Sequence, residues 1–252
     1  MASVIQGQPV GGRPTCATPI HIGRKERSIA DSIVRVLSNA HLFQFGPVRA
    51  RITVAHDATP RKVFAVSSTL TWRFAEPQDV DAINAMTARS IRALHSDSYE
   101  ERIVEEAISH AYGVDWQLVR DRTYFVVEID GDLAGAGGWS YRETIAGAHG
   151  PNDIAAPELD RSRDAARIRA FYVDPAFVRR GVGALLVQVS EKAAHRAGFK
   201  KAELTSTLPA VPFYAAAGYR EAGAFDMSLP SGSLLRLIKM EKALSPNMLQ
   251  VE

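Results

Sequence analysis

The stretch "ARIRAFYVDPAFVRRGVGALLVQVSEKAAHRAG", residues 166–198, constrains the fold more than any other. Its first eight residues, 166–173, read as a strand, and Asp174-Pro175 ends it. Gly181 and Gly183 then stand at the mouth of a helix read over 183–197 and closed by Gly198. Leu185, Leu186, Val189, Ala193 and Ala197 recur at helical spacing, so that helix packs on a sheet. A further strand, "AELTST", follows directly. Strand, helix and strand in this order make a β-α-β unit.

The turn also has chemistry. The first amides of a helix lack partners within it and carry the positive end of its dipole. Gly181 and Gly183 remove side chains that would screen those amides, while Arg179 and Arg180 add charge. A pyrophosphate suits such a site. A plain strand-to-helix turn with solvated arginines accounts for the same residues equally well. Two common phosphate motifs do not fit. The spacing G-x-x-x-x-G-K-[ST] is absent. A dinucleotide fingerprint requires a third small residue where Leu186 stands, and Glu203 lies near the start of the next strand rather than at its end.

The text around this unit is regular from Thr71 onward. "TWRFAE" alternates as a strand. Asp79 caps a helix through Val80, Ile83, Met86, Ile91 and Leu94, and Ser98 with Glu101 spells a capping box before a second helix. "TYFVVEI" and "LAGAGGWSY" are strands joined at Asp130-Gly131-Asp132, a strong hairpin signal. Residues 144–165 have no periodicity, and a loop this long usually carries function or is disordered. A short helix, "AVPFYAAAG", and the strands "YREAGAFDMSL" and "LLRLIKMEKAL" complete the chain. The order β-α-α-β-β-β-α-β-α-β-β gives an α/β fold with a mixed, mostly antiparallel sheet.

Residues 1–69 differ. They hold nine Lys/Arg against three Asp/Glu, although the whole chain carries only +2. Their first third is rich in Gly, Pro, Ser and Thr and reads as disordered. Ile29, Ile33, Val36 and Leu37 have helical spacing, and "RARITV" and "KVFAV" have strand character. We expect an N-terminal extension over 1–69, a domain over 70–245 and a tail over 246–252. The sole cysteine, Cys16, forms no intrachain disulfide and points to a reducing, cytoplasmic setting. No apolar run is long enough for a membrane helix, and the basic extension lacks the interleaved aromatics of single-strand binders. Neither a membrane nor nucleic acid is expected as a partner. No two histidines have metal-ligand spacing, so no metal is expected.

With "VDPAFVRRGVGALL" and, some thirty residues on, "FYAAAGY", the chain resembles the GNAT superfamily of acetyl-CoA-dependent N-acetyltransferases over about residues 71–243. That family's pattern is a strand ending V-x-P, then [QR]-x-x-G-x-[GA] opening a helix, then FY-x-x-x-G-[FY]. Val178 departs from it at the [QR] position. The resemblance implies a twisted, mostly antiparallel sheet flanked by helices. It implies acetyl-CoA as co-substrate, with its pyrophosphate on the amides of Arg179, Arg180, Gly181, Val182, Gly183 and Ala184 and its pantetheine along Phe171, Tyr172 and Val173. It implies Tyr214 as the acid that protonates the departing thiolate. The acceptor would be an amine of a small molecule or peptide, attacking directly in a cleft shaped by the two N-terminal helices (79–112) and by loop 144–165, and a homodimer is allowed. A non-catalytic acyl-CoA-binding module is the alternative. The general base stays open among Glu76, Glu128, Glu143, Glu203 and water. His95 and His149 read as loop residues.

Overall fold

The structure, a computed structural model, describes residues 48–50 and 69–245. The helix spacing at residues 29–37, the strand reading "KVFAV" and the tail lie outside the described residues. Eight strands form one sheet: β1 (Val48–Ala50), β2 (Leu70–Phe74), β3 (Tyr124–Ile129), β4 (Asp132–Ser140), β5 (Ala166–Val173), β6 (Lys201–Thr207), β7 (Arg220–Ser228) and β8 (Leu234–Ala243). Their spatial order is β1-β2-β3-β4-β5-β6-β8-β7. Every neighbouring pair is antiparallel except β5 and β6. The helices are α1 (Val80–His95), α2 (Glu101–His110), α3 (Trp116–Arg120), α4 (Val182–Arg196) and α5 (Val211–Ala216). This is the mixed α/β architecture expected, with seven strands from Leu70 onward and the three residues of β1 added beside β2.

Helices cover both faces. On one, α4 packs against Phe125, Trp139, Ile168 and Phe199 through Val182, Leu186, Val187 and Ala194. Of the expected helical face, Leu186 is fully buried, whereas Leu185, Val189, Ala193 and Ala197 flank the buried stripe and are half-buried. On the other face, Ile83 and Met86 of α1 and Leu118 of α3 meet Tyr124, Val126 and Tyr172. A third cluster joins Ala107 and Ala111 to Leu235 and Leu237, tying α2 to the β7–β8 hairpin.

Local details refine the expectations. Asp130 and Gly131 take φ of 56° and 95°, so the β3–β4 hairpin closes through the left-handed pair that an Asp-Gly turn supplies. Asp79 precedes α1, but its carboxylate accepts from the Glu76 amide and pairs with Arg73 at 2.7 Å instead of capping the helix. The Ser98–Glu101 capping box does not form. Glu100 is the N-cap, without a side-chain cap bond, and Ser98 lies in the turn closed by its amide on His95. The helix α3 was not expected: five residues are too few for periodicity to register. Its N-cap Asp115 accepts from the Gln117 amide at 2.9 Å.

The segment 144–165 is pinned. Arg142 pairs with Asp121 at 2.8 Å and donates to the Ala156 carbonyl. Arg120 donates to Pro151, the His149 ring meets Asp115 at 3.1 Å, and Arg169 donates to Gly147 and pairs with Asp115 at 2.8 Å. No helix among the described residues is long and apolar enough to cross a membrane.

Candidate active site

The site begins where the sheet opens. β5 and β6 pair only at Ala166–Ala202 and Arg167–Glu203. Beyond those residues each strand follows its other partner, β6 along β8 and β5 along β4. β5 also bulges. Ala136 faces Tyr172 and Gly138 faces Arg169, so Ala170 and Phe171 together oppose Gly137. Ala170 takes φ of 55°, and such an extra residue bends the strand away. Past the bulge, Phe171 packs with the α4-side core and Tyr172 with the α1-side core. The gap is a cavity of about 610 Å³.

One end of that cavity is the turn into α4. Asp174 accepts from the Ala176 amide at 2.9 Å and from Arg89 at 2.6 Å, which fixes the strand's exit. Arg179 and Gly181 then adopt φ of 65° and 85°, and Gly181 is the N-cap of the 15-residue helix α4. Nothing stands within 4 Å of where a Cβ of Gly181 would lie, so its φ is what demands glycine. At Gly183 a Cβ would come within 3.1 Å of the Phe213 ring. Phe171, Tyr172, Val173, Arg179, Gly181, Val182, Gly183, Ala184 and Tyr214 all line the cavity. Arg180 is not on its wall; its guanidinium lies over the Phe177 ring at 5.4 Å.

Tyr214 sits in α5, buried, its ring 4.9 Å from that of Phe213 and 5.8 Å from that of Tyr219. Among the described residues its hydroxyl has no hydrogen-bond partner, unlike that of Tyr172, which accepts from the Gly113 amide at 3.3 Å. Burial holds the Tyr214 phenol well above its ordinary range, and Tyr172 adds to the effect.

The other end comes from the two N-terminal helices and loop 144–165, the segments expected to shape a substrate cleft, and from the last hairpin, which was not expected there. Ile91, Leu94 and His95 of α1, Tyr112 after α2, Ile145 to Gly147, and Met227 and Leu237 of the last hairpin line it. His95 is the last residue of α1 rather than a loop residue. It is buried, its ring 5.7 Å from that of Tyr99 and 5.8 Å from that of Tyr112, and burial pushes its pKa down to about 4. The Tyr99 hydroxyl donates to the Arg236 carbonyl and accepts from the Leu208 amide, joining β8 to the segment after β6. The helical spacing on α1 and the length of the 144–165 loop were usable signals; the hairpin contribution had none. The carboxylates Glu76, Glu128, Glu143 and Glu203 are all off the cavity wall. Glu128 instead pairs with Arg73, and Glu203 with Arg167.

The model of one family, described as the Acetyltransferase (GNAT) family, matches residues 88–219, which contain the splayed strand pair and the glycine-rich helix mouth. The chain belongs to the GNAT acetyltransferase family. The matched span is just over half of the 252 residues and includes β5, α4 and α5. Acetyl transfer is the general chemistry that this membership supports. Among solved structures, a GCN5-related N-acetyltransferase from Rhodopseudomonas palustris is similar, at 22% identity over 69% of this chain and 94% of that one, with a TM-score of 0.51. An N-acetyltransferase from Thermoplasma acidophilum, solved with coenzyme A, is 14% identical over 69% of this chain and 98% of its own, with a TM-score of 0.45. An acetyltransferase from Salmonella typhimurium, solved with acetyl-CoA, is 18% identical over 70% and 94%, with a TM-score of 0.47. A search of curated proteins returned no match.

Proposed function

We propose that the protein is an N-acetyltransferase that moves an acetyl group from acetyl-CoA to a primary amine by direct attack in a ternary complex. The observation that carries this reading is the single cavity that joins the β5–β6 opening to the N-terminus of α4, with Tyr214 on its wall. The residues fit the co-substrate. Gly181 leaves open space at a helix mouth, where backbone amides suit a pyrophosphate, and Arg179 lines the same end. Val178 replaces the family's Gln or Arg at little loss, because amides rather than that side chain make the site. The splayed edge of Phe171, Tyr172 and Val173 offers backbone to an extended pantetheine arm and a donor to a thioester carbonyl.

Acetyl-CoA supplies an acyl group on a sulfur leaving group. The chain's own residues then manage protons. A C–N bond forms as the C–S bond breaks; one proton leaves the attacking nitrogen and one must reach the sulfur. Tyr214 holds the second. Its raised pKa keeps it protonated at neutral pH, as a general acid requires. Residues 70–245 carry this activity, with 1–69 as an extension, and the single Cys16 favours a cytoplasmic setting. The test is thiol release from acetyl-CoA across a panel of primary amines. Release that depends on added amine supports the enzyme. Tight acetyl-CoA binding without release under any amine makes the protein a binding module and removes this reading.

A further inference from the structure

We propose that the acceptor is a primary amine carried on an uncharged, apolar body, seated at the α1 end of the cavity with its nitrogen hydrogen-bonded to His95. This rests on the transferase reading and names the acceptor class for the same site.

Charge is the first observation. Among the described lining residues there is no aspartate, glutamate or lysine; the charged side chains are Arg169 and Arg179. Arg169 is neutralised from behind the wall by Asp115, which is fully buried. Asp115 also accepts from the Gln117 amide and meets the His149 ring, and it lies off the cavity wall. Of the carboxylates on elements around the cavity, Glu105 pairs with Arg92, Glu106 accepts from Ser231 and Asp174 pairs with Arg89, and none of them lines the wall. An acceptor with extra ammonium groups would lose their water here and gain no counter-charge. Burying unpaired charge is costly, so polycations are selected against.

The wall itself is the second observation. Ile91, Leu94, Tyr112, Ile145, Met227 and Leu237 present aliphatic, thioether and aromatic surface. Leu94 remains 42% exposed and so leaves apolar surface open on this wall. Such a wall also favours the uncharged form of a bound amine, which is the nucleophilic form.

His95 is the third. It lines this end, is only 6% exposed, and none of its ring nitrogens bonds to a described residue. Tyr99 and Tyr112 hold the ring on two sides. The titratable groups that face it are these two phenols, with Tyr172 beyond Tyr112, and both Tyr112 and Tyr172 are held protonated by burial. The imidazole is therefore neutral at neutral pH and has a free nitrogen that accepts a hydrogen bond from an amine.

The test uses the full-length protein saturated with coenzyme A and titrated calorimetrically with 2-phenylethylamine or spermidine, alongside thiol release from acetyl-CoA with the same amines. 2-Phenylethylamine is expected to bind at least about tenfold tighter than spermidine. Equal or tighter spermidine binding, or no binding of either amine, overturns the proposal. Binding of 2-phenylethylamine without thiol release leaves the acceptor preference standing and sinks the transferase reading instead. His95→Phe keeps a ring between Tyr99 and Tyr112 and removes the nitrogens; it is expected to weaken 2-phenylethylamine by about fivefold or more with coenzyme A affinity unchanged. His95→Gln restores a hydrogen-bonding group and recovers part of that loss. Wild-type amine affinity in a folded His95→Phe variant overturns the role of His95.

Discussion

The α4 end of the cavity is built from backbone, whereas the α1 end is built from side chains. At the α4 end, a β-bulge, a strand that parts from its neighbour and a helix N-terminus place amides around open space, and Gly181 and Gly183 matter because of what they lack. At the α1 end, side chains from α1, from the residue pair after α2, from the pinned loop and from the last hairpin converge. Backbone amides are the same whatever the residue, so the first end tolerates changes such as Val178 and serves one ligand. Side chains differ at every substitution, so under the proposed reading the second end is the one that sets the acceptor.

The comparison breaks most readily at the glycines. Gly181→Val with Gly183→Val forces a branched residue into positive φ and drives a Cβ onto Phe213. Acetyl-CoA affinity is expected to fall by about a hundredfold or more, the equivalent of roughly 3 kcal/mol, with the fold retained by circular dichroism. Unchanged affinity in calorimetry would mean that the amides at this end do not hold the ligand.

Tyr214, on the cavity wall, tests the chemistry alone. Tyr214→Phe keeps the ring against Phe213 and Tyr219 and removes the proton donor. We expect kcat to fall by at least about tenfold and acetyl-CoA affinity to hold, because the hydroxyl acts on charge that develops late. In the wild type, kcat should persist on the alkaline side past the ordinary phenol range near ~10, since burial raises this pKa. A Phe variant with wild-type kcat and a lowered Tm would make Tyr214 a packing residue.

How much of this was legible follows from the same contrast. The β5–α4 unit was readable because its conformation is written in local residue types: Pro175 ends the strand, Gly181 sits at positive φ, and Gly198 with φ of 102° closes the helix. The Asp130-Gly131 turn was readable for the same reason. The α1 end was readable only as segments, the helices over 79–112 and loop 144–165; its individual residues and the hairpin's Met227 were not, because they are distant in sequence and meet only through the tertiary fold. Cap signals also failed where a competing partner won. Arg73 takes the Asp79 carboxylate, and Ser98 is spent in a turn, so neither caps its helix. His95 looked like a loop residue because the last turn of α1 has no glycine or proline to mark its end.

The side-chain end has a pH signature of its own. His95 titrates near 4 in the folded chain and near its ordinary value of about 6.5 when unfolded. Unfolding therefore takes up a proton between those values. The contribution of His95 is complete above about pH 6.5 and is lost as pH falls toward 4. Between those limits Tm should decline less steeply in His95→Gln than in the wild type. Identical slopes would place the imidazole in a more solvated setting than the structure gives it.

The smallest effect belongs to Arg180. It lies over Phe177 and off the cavity wall, so Arg180→Ala should weaken acetyl-CoA binding by only about threefold, through loss of a nearby positive charge. A loss as large as that of the glycine pair would move the site from backbone to side chain.

Direct transfer across the join of the two ends is tested by initial rates with acetyl-CoA and an amine substrate varied together. If both ligands occupy the cavity at once, double-reciprocal lines intersect and no acetylated protein accumulates when amine is left out. Parallel lines, with an acetyl group found on the protein by mass spectrometry, would contradict a ternary complex.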